Sequence, residues 1–194
     1  MSSLPKSFLS PAEYLAFERQ AGNKHEYYAG EIFAMVGASR EHTLIVSALI
    51  RLLGNQLLER PCNVYPSDMR VKVDKKGKYT YPDVMVACGE EHFDDEENDT
   101  LLNPVIVIEV LSESTEAYDR GKKFEHYQYI TTLTDYLLVC QYPYRIEHYV
   151  RQSDNQWLYQ EFHEAENMVE IASIGCVLSL ADVYAKVNKP HEGF

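Results

Sequence analysis

Two acids sit where acids are costly. Residues 105–112 read VIVIEVLS, a run of β-branched residues interrupted by Glu109, and residues 80–88 read TYPDVMVAC, where Asp83 follows Pro82 at the head of a second such run. Burying a lone carboxylate is expensive unless something pairs with it. Strand side chains alternate, so Val107, Glu109 and Leu111 share one face while Ile106, Ile108 and Val110 share the other. If the two strands are neighbours, Asp83 and Glu109 converge on one edge of the sheet. Two carboxylates in close approach repel, and a hard divalent cation with oxygen ligands resolves that repulsion. For either acid alone, a salt bridge to Arg or Lys is the simpler reading. For the pair, followed by a charged helix, a shared metal ion comes first.

The elements that must position these acids are legible from patterning. Ser10-Pro11-Ala12-Glu13 reads as a capping box with Pro at the first helical position, opening a helix through about Gln20. In HEYYAGEIFAMVG, Ala29-Gly30 reads as a tight turn between two strands. From about Arg40 to Arg60, Ile45, Leu49, Leu52, Leu53 and Leu57 recur at helical spacing, which predicts a long amphipathic helix on a sheet. NVY, MRVKV, TYPDVMVAC and VIVIEVL are strands, with KKGK as a turn. GEEHFDDEENDT is acidic and polar, a solvated loop that covers a face, acts as a lid or only adds solubility. A helix over about Glu116–Tyr129 precedes three further strands, DYLLVCQ, RIEHYV and WLYQEF, and LSLADVYAKV reads as a short helix. There is no internal repeat and no linker, which predicts one α/β domain with a mixed sheet and flanking helices over residues 1–194.

Composition narrows the classes. The 194 residues are 45% hydrophobic and 25% charged, ordinary for a globular chain. No apolar run approaches the ~20 residues of a membrane span, and MSSLPKSFLS lacks the apolar stretch of a signal peptide, so a cytoplasmic location is expected. Cys62, Cys88, Cys140 and Cys176 are scattered without a CxxC pair; a zinc site and a disulfide framework are both disfavoured, and core packing is the expected role. The net charge of -12 argues against a nucleic-acid partner on charge alone, although it does not exclude a local basic patch.

Taken together, YPDV, VIVIEVLSEST, AYDRGKKFEHY and DYLLV resemble the restriction-endonuclease family known as the Uma family, once a domain of unknown function, within the PD-(D/E)XK nuclease superfamily. The resemblance runs from about Ser10 to Val187. It implies a restriction-endonuclease-like mixed β-sheet flanked by helices, with an N-terminal hairpin and extra C-terminal strands. It also implies metal-dependent hydrolysis of DNA phosphodiester bonds, with Mg²⁺ or Mn²⁺ held by Asp83, Glu109 and the backbone carbonyl of Val110. The superfamily places a Lys two residues after the Glu, where this chain has Leu111; in the resembled family that Lys comes from the next helix, and Lys123 occupies the matching place. Asp119, four residues earlier, shares its helix face.

By the same resemblance, Glu26 is a third ligand or holds a water, against the alternative of an exposed hairpin acid. His42 touches phosphate or metal, or, as the first choice, makes a helix-terminal capping bond. Asp68 is a site neighbour without a set role. Arg70, Lys72, Lys75, Lys76 and Lys78 form the densest basic stretch, read equally as a DNA-backbone contact or as lysines blunting an edge strand. Superfamily nucleases often act as dimers, so a homodimer is expected, with RIEHYV and WLYQEF either forming its interface or completing the core. The competing functional reading is a catalytically inactive nuclease-like binding module, which Leu111 and the acidic balance favour.

Overall fold

The computed structural model describes residues 8–188. In chain order its regular elements are α1 (Pro11–Glu18), β1 (His25–Tyr28), β2 (Glu31–Ala34), α2 (Arg40–Leu57), β3 (Cys62–Pro66), β4 (Arg70–Val73), β5 (Lys78–Thr80), β6 (Val84–Cys88), β7 (Thr100–Leu101) and β8 (Ile106–Leu111). There follow α3 (Glu116–Tyr118), a π-helical turn (Asp119–Lys123), α4 (Phe124–Tyr127), β9 (Asp135–Cys140), β10 (Arg145–Arg151), β11 (Trp157–Phe162), β12 (Met168–Ile171), β13 (Cys176–Ser179) and α5 (Leu180–Val183). The expected mixed α/β architecture is present, and its strands divide into sheets of five, six and two.

The capping box is formed at α1: Ser10 accepts from the Glu13 N–H, and the Glu13 carboxylate accepts from the Ser10 N–H. The β1–β2 hairpin turns at Ala29 (φ 50°) and Gly30 (φ 92°), with Tyr28 opposite Glu31. A two-residue hairpin turn of this hand needs positive φ at both central positions, which Gly adopts freely and Ala only at a cost.

The six-stranded sheet, ordered β11-β10-β9-β8-β6-β3, carries the core. Both β8 and β9 are buried along their whole length and run parallel, joined by the α3–α4 crossover. A strand covered on both faces reads as a continuous apolar run, the pattern of VIVIEVL and DYLLVC. On one side Ile106, Ile108 and Val110 pack with Ile45, Leu49, Leu53 and Leu57 of α2. Each such side chain contributes about 1.5–3 kcal/mol when fully buried. On the other side Val107 and Leu111 pack with Tyr127, Tyr136, Val71 and Val73.

Four expectations are corrected. TYPDVMVAC is not one strand: Pro82 lacks the N–H a ladder needs, and the chain leaves β5 before β6 begins in a different sheet. The helix after Thr115 is not uniform but is interrupted by the π-turn. LSLADVYAKV starts as the end of β13, which pairs with β12, a hairpin that the sequence reading did not separate. Cys62 and Cys88 lie directly opposite in the β3–β6 register and form a disulfide, whereas Cys140 and Cys176 are buried free thiols as expected.

The acidic segment is also more than a solvated loop. Arg19 grips Asp95 and Asp99, Arg70 pairs with Asp99, and Lys72 reaches Asp94 at 2.5 Å. Thr100 and Leu101 then join β4 as a parallel strand. Hydrogen bonds from Arg19, and further ones from Arg70, hold Asp99 well below the usual carboxylate range against its partial burial. A carboxylate depressed in the folded state adds stability above its unfolded value, near pH 4, and that contribution fades as pH falls further. Asp99→Asn, which leaves the buried Arg70 underpaired, is therefore expected to cost about 1–3 kcal/mol at neutral pH. In urea unfolding, the difference from wild type should shrink below about pH 4.

Candidate active site

Asp83 and Glu109 are brought together as the strand argument requires. Strands β6 and β8 are antiparallel neighbours with Val84 opposite Ile108, which carries Asp83 to the level of Glu109. The Asp83 Oδ2 accepts the Val110 backbone N–H at 2.8 Å, tying the two strand ends together. His42, in the first turn of α2, places its Nε2 3.1 Å from the same oxygen. The cap itself is the work of Ser39, whose hydroxyl accepts the His42 backbone N–H. The ring of His42 thus faces the acid, not the helix end.

Glu109 is buried, and its side-chain partners are protein groups. Lys123 Nζ lies 2.9 Å from Oε1, and the Tyr127 hydroxyl donates to the same atom at 2.8 Å. Asp119, Lys123 and Tyr127 stand four residues apart, so one side of the crossover helix supplies all three. The π-turn spans Asp119 to Lys123; such turns are rare in helices and gather at functional sites. Leu111, on the Glu109 face of β8, is part of the apolar core there.

Lys123 is buried among three acids, with Asp119 Oδ1 at 3.3 Å and Glu26 Oε1 at 3.7 Å besides Glu109. Glu26 is a mostly buried acid on β1, not an exposed hairpin residue. It receives the Thr80 hydroxyl, lies 3.4 Å from Lys78 Nζ and accepts from Tyr118 at 3.3 Å. Glu109, Glu26 and Asp119 therefore share two ammonium groups, Lys123 and Lys78, while Asp83 lies against His42 and the Val110 N–H.

The electrostatics follow from that excess of acid in a dry setting. Burial pushes Glu109 up to about 8; Lys123 opposes the rise, while Asp119 and Asp83 add to it. Burial works against the charge on Lys123, yet Glu109, Glu26 and Asp119 hold it well above an ordinary lysine. Burial also disfavours the charged Glu26, but Lys123 and Lys78 keep it below the usual carboxylate range. Lys78 is lowered by burial and by Lys123, with Glu26 opposing.

These groups open onto a cleft of about 1350 Å³ lined by Glu26, His42, Asp83, Glu109, Asp119 and Lys123, with Val110 beside them. The other sequence candidates do not line the cleft, although Lys78 belongs to the ion-pair network behind it. Asp68 is exposed and pairs with Lys24 at 2.6 Å. Arg70 is buried against Thr100, Tyr81 and Asp99, and Lys72 is spent on Asp94 and Asp74. Lys76 lies over the Tyr129 ring, Lys75 is exposed, and Lys78 is buried beside Glu26. None of these five lines the cleft. Tyr127, Tyr118 and Thr80 complete the polar network without having been singled out. Tyr127 was within reach of sequence reasoning, four residues beyond Lys123 on the same helical face. Tyr118 and Thr80 carry no comparable signal.

The mixed sheet with its flanking helices is a restriction-endonuclease-like fold, and the comparisons with known proteins agree. The chain belongs to the Uma2 family, described as "Putative restriction endonuclease", whose pattern matches residues 11–181. It is 38% identical over 182 residues to "Uncharacterized protein slr1290" of Synechocystis sp., covering 94% of each chain. It is 41% identical over 153 residues to "Uncharacterized protein sll1609" of the same organism, covering 79% of this chain and 86% of the relative. In fold it is similar to the crystal structure of a putative nuclease belonging to DUF820 from Anabaena variabilis, with a TM-score of 0.77 and 19% identity, covering 93% of this chain and 99% of the other. The family expected from the sequence is the family found. Among the described residues, no helix is long and apolar enough to cross a membrane.

Proposed function

We propose that the chain is a metal-dependent DNA endonuclease that hydrolyses phosphodiester bonds at Asp83, Glu109 and Lys123, with Mg²⁺ or Mn²⁺ as cofactor. The observation that carries this reading is the 2.9 Å approach of Lys123 to Glu109, made by the helix after the strand and not from position 111. It supports a site of the PD-(D/E)XK type in which the lysine has moved in sequence while its ammonium stays beside the acid.

The donor set fits a small hard cation. Among the described residues, no three His, Cys, Asp or Glu side chains gather into a cage of their own. Mg²⁺ does not need one, because it keeps several waters and binds through one or two carboxylates plus substrate phosphate. Asp83 and Glu109 would hold it with the Val110 carbonyl. The contacts to Asp83 use Oδ2 and those to Glu109 use Oε1, so the second oxygen of each acid lies outside them. When bound, a divalent cation makes water more acidic and offsets charge on the phosphate and the leaving oxygen.

The protein's own groups do the rest. Lys123 positions the attacking water or stabilises charge growing on the phosphoryl oxygens, and its burial strengthens that interaction. Glu26 and Asp119 hold the ammonium in place. His42 and the Val110 N–H fix the orientation of Asp83.

Isothermal titration with Mg²⁺ and Mn²⁺ tests the proposal. Wild type is expected to bind saturably, Asp83→Ala to lose that binding, and only wild type to cut plasmid DNA. Metal-dependent cutting by Asp83→Ala at the wild-type rate would overturn the assignment.

A further inference from the structure

The cleft carries side chains that phosphodiester chemistry does not use. On one lip Phe33 and Val36, 48% and 76% exposed, follow where β2 runs out toward Ser39. On the other lip Tyr142, 55% exposed, stands in the turn between β9 and β10. The two lips are tied to each other and to the site. The Ser39 hydroxyl donates to Gln141 Oε1 at 2.6 Å, and Gln141 Nε2 donates to the Leu111 carbonyl at 2.7 Å, at the end of the strand that bears Glu109. Phe33 and Tyr142 both line the cleft that contains the acids.

Charge indicates what they meet. Among the described residues lining the cleft, seven are carboxylates and three, Lys24, Lys123 and Arg145, are lysine or arginine. Lys24 is already paired with Asp68, Lys123 with Glu109 and Arg145 with Glu147. Duplex DNA is held chiefly through phosphates neutralised by Lys and Arg, and this cleft has few to offer. The basic stretch around Lys72 and Lys76 lies outside it and is occupied by internal contacts. A single strand makes the same demand through its phosphates, but its unpaired bases add a second means of attachment. Each base presents a π-face to an aromatic ring, and such stacking is tolerant of sequence.

We infer that the cleft takes single-stranded or locally unpaired DNA, with bases stacked on Phe33 and Tyr142 at its two lips. The inference rests on the nuclease reading for its location and adds the substrate class. It predicts weak salt dependence, because three cations at ~0.7 each limit the slope of log K against log salt to about -2.

Fluorescence anisotropy with wild-type protein in EDTA, using a labelled single-stranded oligonucleotide and its duplex, separates the possibilities. The single strand should bind at least about tenfold more tightly. Phe33→Ala and Tyr142→Ala should each weaken it by about fivefold or more, while Tyr142→Phe keeps the ring and the affinity. Both positions are exposed, so the variants are expected to fold, and their circular dichroism checks this. Equal or tighter binding of the duplex, no binding of the single strand, or alanine variants with unchanged affinity would each overturn the inference. Metal-dependent cutting of duplex DNA that ignores Phe33→Ala would remove this inference and leave the nuclease reading standing. Ring-dependent binding of the single strand, without cutting in Mg²⁺ or Mn²⁺, would do the reverse.

Discussion

Glu109→Gln is expected to abolish metal-dependent DNA cleavage, with a loss on the order of 10²–10³-fold or more, the scale seen when one preorganised electrostatic partner is removed. The substitution keeps the shape of the side chain and an oxygen for the Tyr127 hydroxyl, so it isolates the charge. Glu109 carries an elevated pKa, about 8, because it is buried. An acid raised in this way favours the folded state fully below its unfolded value, near 4.5, and that advantage is lost as pH rises through about 8. The stability of Glu109→Gln relative to wild type should therefore shift in favour of the variant between about pH 5 and pH 8. Cleavage assays paired with thermal unfolding across that range distinguish lost chemistry from lost fold. An active variant would leave Glu109 as a structural acid.

The second large effect concerns the cation at the centre of the network. Lys123→Met removes the charge that Glu109, Asp119 and Glu26 share, and it leaves three acids with Lys78 alone. Breaking a buried ion pair from one side is expected to cost about 3–5 kcal/mol, because the remaining charge is uncompensated. In wild type, Lys123 sits well above 10.5, so its contribution is complete throughout neutral and acidic pH and is lost only as pH rises through that elevated value. In the variant the acids themselves relax the strain by taking up protons, so the deficit should be larger at pH 8 than at pH 5. Added Mg²⁺ should recover part of the lost stability through Asp83 and Glu109 while cleavage stays impaired. Chemical denaturation at the two pH values, with and without Mg²⁺, gives all four numbers. A deficit independent of both pH and metal would mean that Lys123 contributes packing alone.

What the chain reveals unaided depends on the range of the interaction. Helix α2, the Ala29-Gly30 turn, the Ser10 capping box and the buried run around Glu109 were all legible, because each is set by patterns within a few residues. Asp83 and Glu109 stood out as misplaced acids, and the helical spacing joined Asp119 to Lys123. Only the tertiary structure decided their partners. The β6–β8 register set the two acids at one level, the π-turn brought Lys123 onto Glu109, and the return of β5 beside β1 buried Lys78 against Glu26. The same long-range packing drew Arg70 and Lys72 of the basic stretch into ion pairs with Asp99 and Asp94. It also set Cys62 opposite Cys88 across 26 residues. A carboxylate announces locally that it needs compensation; which cation answers is decided by strands and helices that meet only when the chain is folded.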